Sequence, residues 1–134
     1  MTATHNLPAQ LAPVSMLVTQ EAIIAYARIT GDFNPLHVDP AFAAKTPMGG
    51  VIAHGTMSLN LIWQTIAGTL PAEQVQGGNL QIRFTKPVRL GRTVTASGAI
   101  SAEAPGTYTV WADNDEGVRV IEGTFVPAQS VGKQ

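Results

Sequence analysis

The chain has 134 residues, of which 45% are hydrophobic and 13% are charged, and its net charge is −1. This length is typical of one globular domain, and the small net charge gives no general attraction to nucleic acid or to an anionic membrane. The chain has no cysteine, which excludes disulfides, thiol nucleophiles and cysteine-ligated metals. Because the first residues contain no basic segment followed by an apolar one, we expect no signal peptide and a cytoplasmic location.

The N-terminal third of the sequence predicts a strand followed by helices. In chain order, these elements are a loose end over about residues 1–12, a strand over Val14–Val18, a helix over about Gln20–Ile29 and a short helical turn from Pro40 to about Ala44. Thr19 is a suitable N-cap for the longer helix, and Gly31 is a suitable end for it. Asp39 and Pro40 form a cap followed by proline at the first helical position, which predicts the second helical turn.

A long uncharged segment, Val51–Leu70, follows. It is long enough to span a bilayer, but its polar and glycine residues argue against insertion. These residues are His54, Gly55, Thr56, Ser58, Asn60, Gln64, Thr65 and Gly68. We therefore predict a helix from about Thr56 to Ala67, ended by Gly68 and Pro71 and buried on most sides by a sheet.

Beyond Gly78 the apolar residues alternate with polar ones, which is the period of a β-strand. The predicted strands contain Leu80–Phe84, Val94–Ile100, Tyr108–Ala112 and Val118–Val126, and a turn at Asn114–Gly117 joins the last two. Helices followed by an antiparallel meander predict a single α+β domain over residues 1–134. We expect a second loose end over about residues 127–134.

The most informative motif is the run from Gly31 to His37. Pro35 fixes its own φ and disfavours helical geometry at Asn34, so we predict a shaped loop here and not a helix. Such a bend brings Asp32 and His37 toward one small volume, where a carboxylate and an imidazole can divide the transfer of protons to and from a water molecule. Taken alone, either residue would be explained by a structural role in a turn.

A glycine at the start of the predicted central helix supplies a second signal. Gly55 leaves a backbone N–H unobstructed at the positive end of the helix dipole. Such a group can stabilise an oxyanion, although a plain helix start has the same sequence. The three histidines, His5, His37 and His54, have no compact metal-ligand spacing, and we therefore predict metal-free chemistry.

Together, the two motifs resemble the MaoC-like family, and more narrowly its (R)-specific enoyl-CoA hydratases (hydratase 2) in their short single-domain bacterial form. The resemblance covers nearly the whole chain, and the segment Arg83–Gly91 is also similar to the family's strand after the central helix. It implies a hotdog fold, in which a curved antiparallel sheet wraps one long apolar helix. It further implies a homodimer, an acyl-thioester substrate carried by coenzyme A or acyl carrier protein, and no cofactor. The runs that carry it are Gly31-Asp32-Phe33-Asn34-Pro35-Leu36-His37-Val38-Asp39 and Gly50-Val51-Ile52-Ala53-His54-Gly55.

The implied reaction is the reversible addition of water to a trans-2-enoyl thioester, which gives an (R)-3-hydroxyacyl thioester. Asp32 and His37 would hold one water molecule and transfer its protons jointly. Asn34 would orient the water or the carboxylate, and turn chemistry before the next residue is an equally open role for it. The Gly55 N–H would donate a hydrogen bond to the thioester carbonyl oxygen.

Three further residues are candidates for substrate binding: Ile52, His54 and Trp63. We expect His54 to be a structural neighbour of the site and not a proton carrier. Trp63 lies where some relatives have a small polar residue, so it either limits the acyl pocket or packs in the core. Basic residues offer contacts to coenzyme A phosphates or a solvated face, and they are Lys45, Arg83, Lys86, Arg89 and Arg92.

Three alternative functions remain open at this point. A (3R)-hydroxyacyl dehydratase acting on acyl carrier protein thioesters would use the same residues. A hotdog thioesterase would leave the spacing of Asp32 and His37 without a reason. A non-catalytic acyl-binding or partner subunit would need no proton-transfer pair.

Overall fold

The computed structural model describes residues 7–128, and the structural statements below concern that part of the chain. His5 and the outer parts of the two predicted loose ends, residues 1–6 and 129–134, lie outside the described residues. The helices and strands are, in chain order, β1 (Gln10–Leu17), α1 (Gln20–Thr30), α2 (Pro35–Val38), α3 (Pro40–Ala44), α4 (Gly55–Thr69), α5 (Ala72–Val75), β2 (Asn79–Phe84), β3 (Thr93–Ile100), β4 (Tyr108–Asn114) and β5 (Arg119–Val126).

The five strands form one antiparallel sheet in the order β1-β3-β4-β5-β2. β3, β4 and β5 follow one another as a meander, so that Tyr108 of β4 lies between Ile100 and Phe125. β1 and β2, which come before and after the helices, form the two edges. The central helix α4 packs on β1, β3 and β4. This arrangement confirms the predicted α+β hotdog fold.

The core lies between α4 and the inner face of the sheet. Ile62 and Ile66, one helical turn apart on α4, are fully buried. Alternate residues of β3, including Val94 and Ala96, are buried against them because successive strand residues point to opposite faces. Burial of each large apolar side chain stabilises the fold by roughly 1.5–3 kcal/mol. This packing makes the sheet and α4 a firm support for the loops at their ends.

β1 begins earlier than predicted. It starts at Gln10, so the assignment of residues 10–12 to a loose end is wrong. The register of β1 against β3 shifts between Leu11 and Val14, in the segment that contains Pro13. Proline cannot donate a hydrogen bond to the sheet, but an edge strand with a bulge tolerates it.

The central helix is longer than predicted. α4 continues through Gly68 to Thr69, because one glycine inside a helix costs only about 1 kcal/mol and the packing of the neighbouring turns outweighs it. The helix stops at Leu70, whose extended backbone (φ −100°, ψ 150°) is the geometry that the following Pro71 favours. The single-turn helix α5 comes next and was not predicted.

The largest local difference lies in the first motif, where the predicted loop contains a one-turn helix, α2. Asn34 is its N-cap, with a non-helical backbone (φ −52°, ψ 129°) and a side-chain oxygen that accepts a hydrogen bond from the Leu36 N–H (3.0 Å). Pro35 occupies the first helical position, where its fixed φ and missing N–H suit the start of a helix. The restriction that proline places on the preceding residue therefore begins a helix here instead of preventing one.

Candidate active site

Asp32 is positioned by the end of α1. Gly31 ends this helix with a φ of 77°, a conformation that glycine adopts without strain, and its N–H donates to the Ala27 carbonyl (2.7 Å). The Asp32 carboxylate then accepts a hydrogen bond from the Asn34 N–H (3.1 Å), which closes a turn. Since Asp32 is exposed and a carboxylate has about four lone-pair positions, it can still accept hydrogen bonds from a water molecule.

His37 is positioned by α2 and by the segment before α4. Its Nδ1 lies 2.8 Å from the Ile52 carbonyl oxygen. A carbonyl oxygen can only accept, so Nδ1 carries the proton of this hydrogen bond, and Nε2 of the neutral imidazole is left with a free lone pair. This arrangement orients the ring and makes Nε2 the nitrogen that can accept a proton.

His54 joins the two halves of the motif. Its Nε2 donates a hydrogen bond to the backbone carbonyl of Asp32 (2.9 Å). Its ring stacks on the His37 ring, with centroids 4.0 Å apart and planes 28° apart, and the Tyr26 ring packs edge-on against it at 5.0 Å. One side-chain atom from each of Asp32, His37 and His54 lies within 4.8 Å of the other two. The structure therefore brings the predicted acid–base pair together and adds His54 as the contact that holds both members.

Gly55 is the first residue of α4, and no side chain caps this helix. The first N–H groups of a helix have no partner within the helix, so the Gly55 N–H is available to an acceptor. The position is also crowded, because a Cβ on Gly55 would lie 3.0 Å from a ring carbon of Phe84. A glycine here allows the Phe84 ring to pack over the start of the helix.

A cavity of about 280 Å³ lies beside these groups, and we refer to it as the site cavity. His37, His54 and Gly55 lie on its wall, together with Ser58 of α4 and Lys86, which follows β2. The rest of the wall is mostly apolar and consists of Ile52, Ala53, Phe84, Thr85, Pro87, Val88, Val120 and Ile121. One largely apolar space, open on one side, thus meets an imidazole pair and the open end of a helix.

Three candidate residues from the sequence are not among the residues that line the site cavity: Asp32, Asn34 and Trp63. The Asn34 side-chain oxygen caps α2, which is the turn chemistry named above as one of its two roles. Trp63 does not line the site cavity. It lies on the outer side of α4, 37% exposed, with its ring edge-on to Phe125 at a centroid distance of 6.0 Å.

The basic residues differ in their contacts. Arg83 pairs with Glu122, and Arg92 pairs with two acidic side chains of the β4–β5 turn. Arg89 donates to the backbone carbonyl of Met48. Lys86 lines the site cavity, which places it best among these residues to meet a charged group of a ligand.

Sequence reasoning gave no role to Ser58, although it is buried and lines the site cavity. The signal was its spacing, because residues four apart on a helix share a face and Ser58 follows His54 by four positions. Phe84 was treated only as a strand residue, and its contact with Gly55 arises from the pairing of distant segments.

The MaoC-like domain family model matches residues 6–117 of the chain. The chain therefore belongs to the MaoC-like domain family.

Curated relatives and solved structures agree with this assignment. The chain is 38% identical over 118 residues to a 3-hydroxyacyl-thioester dehydratase Z of Mycobacterium tuberculosis, covering 83% of this chain and 76% of that one. It is 34% identical over 93 residues to an (R)-specific enoyl-CoA hydratase of Aeromonas caviae, covering 69% of each chain. The solved (R)-hydratase from A. caviae involved in PHA biosynthesis superposes with a TM-score of 0.75 at 28% identity, over 90% of this chain and 93% of that one. The chain is thus a hydro-lyase with the hotdog fold of these hydratases.

None of the helices within residues 7–128 combines the length and the apolar character that crossing a membrane requires.

Proposed function

We propose that this protein is an (R)-specific enoyl-CoA hydratase, which adds water reversibly to a trans-2-enoyl-CoA to give a (3R)-3-hydroxyacyl-CoA. The observation that carries the proposal is the joint position of His37 and Gly55 on one cavity wall, with a carboxylate oxygen of Asp32 within 4.8 Å of a ring nitrogen of His37. Hydration needs a base for water, an acid for the α-carbon and a donor for the carbonyl oxygen, and these three residues supply all of them.

The proposed reaction begins with a water molecule held between Asp32 and the free Nε2 of His37. The water oxygen forms a bond to the β-carbon while the Asp32–His37 pair takes one of its protons. The pair returns a proton to the α-carbon, and the electrons that moved toward the thioester oxygen come back to form the C–H bond. Asp32 and His37 are therefore proposed to transfer these protons jointly, with no separate role for either residue.

The thioester carbonyl is proposed to accept a hydrogen bond from the Gly55 N–H. Enolate-like charge develops on this oxygen during the reaction, and a fixed donor at a helix N-terminus stabilises it. The mostly apolar wall lowers the local dielectric constant around this donor, which strengthens the interaction. Asn34 supports the site by holding the turn between the two acid–base residues.

The geometry of the two histidines supports a reaction without a metal. A metal bonded to both rings would lie in both ring planes, about 2 Å from each nitrogen. Planes that are only 28° apart with centroids separated by 4.0 Å meet much farther away than that.

Hydration of crotonyl-CoA, followed as loss of the absorbance of its conjugated thioester, tests the proposal. We expect turnover by the purified protein and an (R)-configured product. A second candidate function is that of a 3-hydroxyacyl dehydratase acting on acyl carrier protein thioesters. The similarity to a 3-hydroxyacyl-thioester dehydratase supports this candidate. Comparing kcat/KM for crotonyl-CoA and crotonyl-acyl carrier protein separates the two, and absence of turnover with both would reject the hydratase proposal.

We also propose that the protein is a homodimer. β1 and β2 are sheet edges within the described residues, and an unpaired edge favours pairing with a second strand. Phe84, at the end of β2, is 52% exposed, and a two-fold interface there would cover it. Light scattering at micromolar concentration should give twice the chain mass of 14.1 kDa; a mass of one chain would contradict the proposal.

A further inference from the structure

Two buried polar side-chain atoms, on residues that line the site cavity, have no hydrogen-bond partner within residues 7–128: Nδ1 of His54 and Oγ of Ser58. The two residues are only 3% and 2% exposed, and both line the cavity. Leaving a buried polar atom unpaired costs about 1–3 kcal/mol. These atoms therefore favour a ligand that can form hydrogen bonds with them.

The hydrogen-bonding character of each atom follows from its surroundings. His54 Nε2 donates to the Asp32 carbonyl, so the neutral ring presents a lone pair at Nδ1 and acts there as an acceptor. The Ser58 hydroxyl can donate and accept. A hydroxyl group placed between them can accept from Ser58 and donate to His54, whereas a ketone oxygen satisfies only Ser58 and a methyl group satisfies neither.

We propose that His54 Nδ1 and Ser58 Oγ form a hydroxyl-binding subsite for acyl thioesters that carry a hydroxyl group at C4. The inference rests on the proposed function, because the carbonyl oxygen at the Gly55 N–H sets the position of the acyl chain. Ser58 lies three residues beyond Gly55, which is about 4.5 Å along the axis of α4. This separation is within reach of C4 of a chain whose carbonyl lies at Gly55. The subsite deepens the proposed function by selecting 4-hydroxy-2-enoyl thioesters among its substrates.

Two matched substrates test this inference. In 4-hydroxy-trans-2-butenoyl-CoA and trans-2-pentenoyl-CoA, a hydroxyl group and a methyl group occupy the same position. The kcat/KM of the hydroxyl substrate is divided by that of the methyl substrate, for the wild type and for Ser58→Ala. Comparing this ratio between the two proteins cancels the difference in intrinsic reactivity of the substrates. We expect the ratio to fall roughly three- to tenfold in Ser58→Ala, the fold-change that corresponds to one neutral hydrogen bond.

Ser97→Ala is the matched control. Ser97 is a partly buried serine on β3, and its Oγ donates to the Leu11 carbonyl (3.1 Å) outside the site cavity. Its ratio should equal that of the wild type. If Ser58→Ala fails to fold, Ser58→Cys replaces the hydroxyl with a weak S–H donor and should lower the ratio in the same direction.

The outcomes separate the subsite from the function on which it rests. An unchanged ratio in a folded Ser58 variant, with both substrates hydrated, would overturn the subsite and leave the hydratase proposal intact. If the wild type hydrates crotonyl-CoA but not 4-hydroxy-trans-2-butenoyl-CoA, the subsite is overturned and the hydratase proposal stands. Failure to hydrate crotonyl-CoA and crotonyl-acyl carrier protein would overturn both.

Discussion

Two regions of the described chain, residues 79–126 and residues 31–55, are built in different ways. In residues 79–126, strands pair residues that are far apart in the sequence. In residues 31–55, by contrast, side chains cap the backbone of their own neighbours, as Asp32 and Asn34 do. The proposed acid–base pair and the open helix end all lie in the second region, whereas β5 contributes apolar wall through Val120 and Ile121. The proposed chemistry therefore lies in the irregular region, and the sheet gives that region a rigid support.

The strongest test of this comparison removes the acid–base groups without disturbing the turns. Asp32→Asn and His37→Ala should each lower the hydration rate by at least about 10²-fold, as expected for positioned proton-transfer groups. Asparagine can still accept the hydrogen bond from the Asn34 N–H, so the fold of the Asp32 variant should be retained. Crotonyl-CoA hydration and circular dichroism measure the two effects.

Asp39→Asn is a matched control for the first of these variants. Asp39 also uses a carboxylate oxygen to cap its own backbone, accepting from the Phe42 N–H (3.1 Å) at the start of α3. Unlike Asp32, it does not belong to the group of side-chain atoms that lie within 4.8 Å of one another around the two histidines. It should retain nearly full turnover. Turnover near the wild-type rate in folded Asp32→Asn or His37→Ala would reject the assignment of the pair.

The next test concerns the open end of α4. Gly55→Pro removes the backbone N–H at the first helical position, where proline is accepted, and the His54 backbone (φ −61°, ψ 135°) is already suited to a following proline. Losing an oxyanion donor typically lowers kcat by about 10²-fold or more. Gly55→Ala places the same Cβ against Phe84 but keeps the N–H, so it separates the steric effect from the loss of the donor. Equal kcat values for the two variants would exclude Gly55 as the donor.

The contrast between the regions also explains how much the sequence could predict. Strand periodicity predicted β3 and β4 because each of them buries alternate residues, and the Asn114–Gly117 turn predicted that β5 follows them. The ends of α1 and the start of α3 could be predicted because a cap depends only on neighbouring residues. Thr19 and Gly31 cap α1, and Asp39 caps α3. The resemblance of the two motifs to a known family then supplied the hotdog arrangement.

The features that the sequence did not predict depend on contacts between distant residues or on small differences in conformational free energy. The stacking of His54 on His37 and the contact of Phe84 with Gly55 need the folded chain. α2 was missed because Pro35 is compatible both with a loop and with a helix start. The passage of α4 through Gly68 reflects packing, which outweighs the weak intrinsic preference of one residue.

A smaller effect is expected from substitution of Trp63, for which the sequence left two roles open. Trp63 packs on Phe125 and does not line the site cavity, so Trp63→Ala should lower the free energy of unfolding by about 2–3 kcal/mol, below the full cost for a core tryptophan because the side chain is partly exposed. The ratio of activities on C8 and C4 enoyl-CoA should stay unchanged. Chemical denaturation and the two assays measure these effects, and a selective gain on the C8 substrate would show instead that Trp63 limits the acyl chain.

The smallest expected effect tests whether a local cap in the irregular region acts on stability alone. Thr19 Oγ1 accepts a hydrogen bond from the Ala22 N–H (3.0 Å) at the start of α1, the helix whose other end positions Asp32. Thr19→Ala should lower the free energy of unfolding by about 1 kcal/mol, while Thr19→Ser, which keeps the acceptor, should stay close to the wild type. Because α1 also buries Ile23 and Ala27 in the domain, the end of the helix should keep its position, and kcat at 25 °C should be unchanged. Urea denaturation with parallel kinetics measures both quantities, and a loss of kcat in Thr19→Ala without loss of fold would show that the cap also positions the turn that contains Asp32.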